Sequence, residues 1–367
     1  MSPLLNDVLG HLEKLVSFDT RNPPRNIGTG GIFDYLRANL PGFEVEVIDH
    51  GAGAVSCFAV RGKPKFLFNV HLDTVPDSPA WTASPFGLRI ADERAIGLGA
   101  CDIKGAAAGL LAAANISDGD AAFLFTSDEE ANDPRCIDAF LKRGLSYEAV
   151  LVAEPTQTKA VLAHRGISAV SMRFAGRAGH ASHKLQPSDS ALHQAVTWGA
   201  RALELVQSME GAKFGGLSGL RFNIGRIEGG IKANMIAPQA DVRFGFRPLP
   251  SMDLDALLEK FRTLSQPTPV LFDETFRGPS LPSGEPELAE ERRLAARDVA
   301  DELELAIGSA VDFWTEASLF SAAGHTAMVY GPGDIAQAHA ADEWVALDQL
   351  ESYAESVARI LQRRYVP

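Results

Sequence analysis

The sequence predicts an α/β protein with a mostly parallel central sheet flanked by helices, interrupted by an inserted α+β domain. Three observations carry that prediction. Apolar runs at 66–70, 121–125 and 149–153 alternate with helical stretches at 105–114 and 133–143, and strands buried on both faces of a parallel sheet read as such runs. From about residue 165 the pattern changes to alternation, with Val170, Met172 and Phe174, then Phe222 and Ile224, then Val242, Phe244 and Phe246 on one side. That is the signature of a sheet with one wet face. Finally, His71, Asp102, Glu129, Glu130 and Glu154 stand at or just past the ends of the first set of strands, where open α/β sheets bind ligands.

The elements follow in order. Leu4, Leu5, Val8, Leu9, Leu12, Leu15 and Val16 recur at helical spacing, so the chain opens with an amphipathic helix. Thr20-Arg21-Asn22-Pro23-Pro24 breaks it, and a second helix over 30–39 closes at Pro41-Gly42. Strands are expected at 44–48, 55–60 and 66–70. Residues 76–96 show no period and read as a long loop, a length usually reserved for function or disorder. The helix at 105–114 is rich in Gly and Ala and so can pack close to a sheet. In the inserted segment a helix is expected over about 188–207. Another starts at Ser251 as N-cap, with Leu254, Leu257, Leu258 and Phe261 on one side. The order strand-helix-strand-strand-helix-strand places the insert at 165–275, leaving 1–164 and 276–367 as one discontinuous domain. The last part returns to α/β, with helices over 288–306 and 347–364 and strands at 311–314 and 326–330.

Length and composition limit the function classes. The chain has 367 residues, 46% of them hydrophobic, enough for two ordinary domains with a sizeable core. A net charge of −13 makes nucleic acid and anionic membrane poor partners. No stretch of about 18 apolar residues suggests a membrane span, and the first residues lack the basic region of a signal peptide. Cys57, Cys101 and Cys136 are widely spaced, an odd, sparse set that does not suggest a disulfide framework. A reducing cytoplasm is the expected location.

The chemistry is read from the strand ends. His71-Leu72-Asp73 puts imidazole and carboxylate on one face at strand spacing, so Asp73 can hold one ring nitrogen and leave the other for a metal. Alone the pattern is weak; a histidine at a strand end is usually plain structure. The sequel strengthens it. In Asp128-Glu129-Glu130 adjacent carboxylates point different ways, so one can bind metal while its neighbour holds a water; the bland alternative is a solvated acidic turn. His71, Asp102, Glu130, Glu154 and His339 together supply two imidazoles and three carboxylates. That exceeds the needs of one zinc ion and suits two metals about 3.5–4 Å apart. Mixed nitrogen and oxygen donors accept zinc, cobalt or manganese. Cys101, beside Asp102, reads as a packing residue.

These motifs resemble a known family. Val70-His71-Leu72-Asp73-Thr74-Val75-Pro76, Gly97-Leu98-Gly99-Ala100-Cys101-Asp102-Ile103-Lys104-Gly105, Asp128-Glu129-Glu130, Ala153-Glu154-Pro155-Thr156 and Gly331-Pro332-Gly333 before Gln337-Ala338-His339 are similar, in order and separation, to the dinuclear metallohydrolases (M20) that include acetylornithine deacetylase and aminoacylase. The resemblance covers nearly the whole chain. It implies an exopeptidase-like catalytic domain and a ferredoxin-like lid and dimerisation domain. Two divalent metals, zinc or cobalt, are implied: one on His71 and Glu154, one on Glu130 and His339, with Asp102 bridging through a residue in a cis peptide to Ile103. Asp73 then orients His71, and Glu129 is the general base. His180, in Gly179-His180-Ala181-Ser182, matches a histidine that reaches the oxyanion from the partner subunit of a homodimer. Asn234 and Arg247 match residues that hold the substrate's α-carboxylate and oxyanion; the planar guanidinium suits a carboxylate. Trp314-Thr315-Glu316-Ala317-Ser318 resembles the acetylornithine deacetylase branch, which implies a small N-acetyl amino acid as substrate, acetylcitrulline or acetylornithine, within arginine biosynthesis. A dipeptidase or carboxypeptidase with the same metals, and a metal-free binding protein on the same fold, are the competing readings.

Overall fold

A computed structural model of the chain describes all residues but 132, 183, 185, 187 and 364–367. It divides into two compact units. The first comprises Met1–Leu162, Leu294–Gly308 and Thr315–Pro367; the second comprises Ala163–Arg293 and Ser309–Trp314.

Among the described residues the first unit is built on a six-stranded sheet in the order Glu44–Asp49, Val55–Arg61, Ala121–Thr126, Phe66–His71, Ala149–Val152, Ala327–Val329. The last four are mutually parallel and the first two join antiparallel. Phe66–His71, Ala121–Thr126 and Ala149–Val152 are buried at every residue, which is why they read as unbroken apolar runs. Pro3–Val16 buries Leu5, Val8, Leu12, Leu15 and Val16, each fully buried Leu or Val contributing roughly 1.5–3 kcal/mol. Its start is fixed by Ser2, whose hydroxyl accepts from the Leu5 amide at 3.1 Å. Gly105–Asn115 is buried almost throughout and lies against Leu347–Gln362. A Cβ on Gly109 would stand 2.7 Å from the Tyr353 ring, so the small residues there set how closely the two helices pack.

Residues 76–96 are not all loop. Arg89–Ala91 and Arg94–Ile96 form a hairpin that Trp344–Ala346 extends to three strands. Three-residue strands are too short to show a period, and the third strand is remote in sequence. The stretch 311–314 forms no strand; Val311 makes a single bridge to His164.

The second unit carries a four-stranded antiparallel sheet in the order Arg221–Gly229, Gln239–Arg247, Ile167–Ala175, Leu271–Gly278. Ala191–Ser208 and Leu254–Thr263 pack on it through Trp198, Phe244, Phe246 and Phe261. The Trp198 indole N–H donates to the Phe261 carbonyl at 2.7 Å. The cap of the second helix is Asp253, which accepts from the Ala256 amide at 3.0 Å, rather than Ser251: a capping oxygen must reach the second or third amide of the helix, and Ser251 lies two residues too early. The unit also runs past residue 275 to Arg293 and takes in Ser309–Trp314. The Trp314 indole N–H donating to the Pro279 carbonyl at 3.0 Å helps to hold that short segment.

Candidate active site

The site lies at the carboxyl ends of the parallel strands. His71 is the last residue of its strand and pairs with Thr126. The next amide, Leu72, donates to the Thr126 carbonyl at 2.8 Å, which fixes where the imidazole emerges. Glu154 follows the strand end at Val152, whose carbonyl accepts from the Tyr330 amide at 2.8 Å. A Cβ on Gly331 would fall 2.5 Å from the Glu154 carbonyl oxygen; only glycine lets that turn pass so close. His339 sits in the left-handed region at φ 56°, just after the short turn Ile335–Gln337. Asp102 and Ile103 are joined by a cis peptide.

The side chains converge on Asp102. Its Oδ1 is 3.1 Å from His71 Nε2 and its Oδ2 is 3.2 Å from His339 Nε2. One carboxylate therefore faces both imidazoles with a different oxygen toward each. Glu154 Oε1 is 4.0 Å from His71 Nε2, and Glu130 Oε1 is 3.2 Å from His339 Nε2. Among the described residues His71, Asp102 and Glu154 form one potential metal-binding group and Asp102, Glu130 and His339 another, the ligand atoms of each lying within 4.8 Å of one another. Behind His71, Nδ1 donates to the Asp73 carbonyl at 3.0 Å, with the Asp73 carboxylate at 3.5 Å. The main-chain carbonyl of Asp73 thus accepts the ring's N–H. Its carboxylate instead accepts from Asn22 at 2.9 Å and from the Glu130 amide at 3.0 Å.

The cluster is short of positive charge. Burial pushes the Glu129 carboxyl up to about 8; Glu130, Asp102 and Asp73 add to the rise and His71 opposes it. Glu154 is raised well above the carboxylate range, by burial first and then by Asp102. Burial opposes a charged His71, yet Asp102, Asp73 and Glu154 together raise it. His339 is raised to about 11 by its bonds to Asp102 and Glu130. An excess of buried carboxylate around two imidazoles is the environment that a multivalent cation relieves, and the donor set is of the mixed nitrogen and oxygen kind that divalent metals accept. The residues fit a dinuclear site.

A model of peptidase family M20/M25/M40 matches residues 67–363. The chain belongs to this family. Within M20, N-acetyl-L-citrulline deacetylase of Xanthomonas campestris pv. campestris is 72% identical to this chain over 362 residues, covering 98% of it and 99% of that protein. Acetylornithine deacetylase of Pectobacterium carotovorum subsp. carotovorum is 28% identical over 316 residues, 82% of this chain and 80% of that one. Among solved structures, aminopeptidase PepT from Bacillus cereus superposes with a TM-score of 0.73 at 19% identity and 98% coverage of both chains; that likeness concerns the fold. This M20 chain is accordingly a metal-dependent hydrolase.

The remaining site candidates of the M20 chain lie in the second unit. His180 is exposed and its Nδ1 stands 2.7 Å from the Ser182 hydroxyl. Gly179–His180 pairs with Met235–Ile236, and the Ala181 amide donates to the Asn234 carbonyl at 2.9 Å, so His180 and Asn234 share one short ribbon. Arg247 ends the strand Gln239–Arg247, opposite Arg221.

Two residues at the cluster escaped the sequence reading. Glu316 is buried and accepts from the Thr126 hydroxyl at 3.4 Å; burial, then Asp128 and Glu129, raise it well above the carboxylate range. Its one signal was its place in Thr315-Glu316-Ala317. Glu343 is buried beneath the Asp102 turn. In Asp342-Glu343-Trp344 it reads as a surface acid, and nothing local marks it. Cys101 is buried and its thiol donates to the Asp334 carbonyl at 3.3 Å.

Proposed function

We propose that this enzyme removes the acetyl group from N-acetyl-L-citrulline, giving acetate and citrulline, as a step of arginine biosynthesis. The observation that carries the choice of substrate is the 72% identity over nearly the full chain to an N-acetyl-L-citrulline deacetylase. The chemistry is argued from the cluster. His71 and Glu154 would hold one divalent metal, zinc or cobalt, Glu130 and His339 the other, and Asp102 would serve both. The chemistry that such a pair supplies is acidification of an attacking water and polarisation of the scissile amide carbonyl. Glu129, close to the cluster but outside both ligand groups, takes the water's proton and later delivers it to the leaving amine. A carboxyl held at about 8 binds a proton readily in the metal-free cluster, and added cations pull it down toward a working base. Asp73, itself fixed by Asn22, keeps His71 turned so that Nε2 is the free nitrogen. Arg247 and Asn234 are assigned to the substrate's α-carboxylate and oxyanion.

Acetate release from acetylcitrulline and acetylornithine, compared as kcat/KM on metal-loaded enzyme, tests the substrate. A clear preference for acetylcitrulline is expected. Preference for acetylornithine would replace it as substrate. Activity on dipeptides alone would move the enzyme to the peptidases of the family.

The same reading makes the protein a cytoplasmic homodimer. No described helix is long and apolar enough to cross a membrane. In the second unit Val196 and Leu203 are 63% and 58% exposed on one helix and Ile227 is 39% exposed, on a strand at the edge of its sheet; an open edge with apolar neighbours favours pairing with another chain. His180 is assigned to the oxyanion of the partner subunit's site, a donor whose loss typically costs about 10²–10³-fold in kcat. Mixing inactive Glu129→Ala with inactive His180→Ala subunits is then expected to restore activity. No recovery after proven subunit exchange would confine His180 to its own subunit or to no catalytic role.

A further inference from the structure

We infer that Glu343 is a positioning residue of the metal centre, holding Asp102 where each of its oxygens meets a different histidine. Its carboxylate is buried and fully engaged. Oε1 accepts from the Cys101 and Asp102 amides, both at 2.9 Å, and Oε2 accepts from the Gly99 amide at 3.0 Å. The Gly97 amide donates to the Glu343 main-chain carbonyl at 3.0 Å. Four amides of one turn are thereby anchored to one residue.

The turn requires such an anchor. Within Ala100–Lys104 the backbone leaves helical values at Asp102 (φ −124°, ψ 87°) and Ile103 (φ −143°, ψ 30°). Neighbouring amides of a segment bent in this way converge instead of entering a ladder, and converging amides form a nest for an anion. Bonds from N–H to a carboxylate are roughly twice as strong as neutral ones. The buried ammonium of Lys104, which donates to the Phe18 carbonyl at 3.0 Å, supplies positive charge nearby and interacts with Glu343.

Glu343 also links the two ligand-bearing segments. It lies four residues after His339 and immediately before Trp344–Ala346, which pairs with Arg94–Ile96 just ahead of the Asp102 turn. A displacement of Glu343 would therefore move Asp102 and His339 relative to each other, and the group Asp102, Glu130 and His339 would lose its shape first. Glu343 acts through these residues: both its oxygens face amides, and it belongs to neither potential metal-binding group.

The inference rests on the reading of Asp102 and His339 as metal ligands, and its test carries a control for that reading. Apo-protein is titrated with Co²⁺, with the ion's visible absorption and equilibrium dialysis as readouts, for wild type, Glu343→Gln, Glu343→Ala and His339→Ala. Wild type is expected to bind two equivalents, and His339→Ala to lose the second. Glu343→Ala should bind the second equivalent about 10–100-fold more weakly, with altered absorption. Glu343→Gln, which can still accept from Cys101 and Asp102 but turns an NH₂ toward the Gly99 amide, should fall between them. Excess Co²⁺ should restore kcat to Glu343→Gln with KM for acetylcitrulline little changed, which a merely misfolded variant would not show. If Glu343→Ala does not fold, the Gln variant decides. Wild-type affinity and spectrum for the second equivalent in Glu343→Gln and in any folded Glu343→Ala would overturn the inference. If His339→Ala keeps its second equivalent, the ligand reading falls and the Glu343 inference falls with it.

Discussion

Glu129→Gln is expected to lower kcat/KM for acetylcitrulline by about 10²–10⁴-fold, the range that a positioned acid–base group contributes, while the protein still binds two metals. Glu129 is set next to Glu130, which stands 3.2 Å from His339, and it interacts with His71, Asp102 and Asp73. It is thus inside the charged cluster and yet in neither group of potential ligands. The amide of Gln keeps the shape and loses the ability to take a proton. Metal analysis beside steady-state kinetics separates the two roles open to a carboxylate here. Lost metal would make Glu129 a ligand. Substantial residual turnover with two metals bound would remove it as the base.

Much of this cluster was visible in the sequence, for a physical reason. A strand buried on both faces is an apolar run, and a functional side chain at or just past its end stands out as a charged or imidazole group within a few residues of that run. His71 after 66–70, Asp128-Glu129-Glu130 after 121–125 and Glu154 after 149–153 all announce themselves in this way. His339 is different. It follows a glycine-rich turn, not a long apolar run; it entered the ligand count as a second imidazole, and the resemblance to a family supplied the motif around it. Glu343 was illegible, and Glu316 was marked only by its motif, because their significance lies in burial against residues distant in the chain: the amides of 99–102 for one and Thr126 for the other.

The same distinction separates the parts of the fold that were read from those that were not. The alternation of Val170, Met172 and Phe174 reports one wet face directly, and the observed strand Ile167–Ala175 buries alternate residues. The hairpin at 89–96 and its pairing with Trp344–Ala346 left no such trace. Leu271–Gly278 pairs with Ile167–Ala175, a contact between the two ends of the insert that no local pattern records, and the chain stays with that compact unit to Arg293, beyond the expected 275. Periodicity reports what a segment faces; it does not report which segment it faces.

Asp102→Asn is expected to have the second large effect, through both metals together. In the structure Oδ1 of Asp102 meets His71 and Oδ2 meets His339, so one substitution alters the donor that both groups share: the anionic carboxylate becomes a neutral amide with one oxygen left. Removing His71 or His339 would touch one group only. The Asn side chain keeps the volume of the buried aspartate and still has a carbonyl oxygen for one histidine. It presents an NH₂ to the other, where a cation and an imidazole nitrogen would both find a donor. Metal catalysis of this kind supplies several kcal/mol of transition-state stabilisation, so its loss predicts a fall in kcat of about 10³-fold or more, at 1.36 kcal/mol per tenfold. Both equivalents of metal should bind more weakly than in wild type, measured by equilibrium dialysis. His71→Ala, by contrast, should spare the equivalent held by Glu130 and His339. If Asp102→Asn instead weakened one equivalent and left the other at wild-type affinity, Asp102 would belong to a single metal, and the split of its two oxygens between the histidines would be a feature of the apo-protein alone.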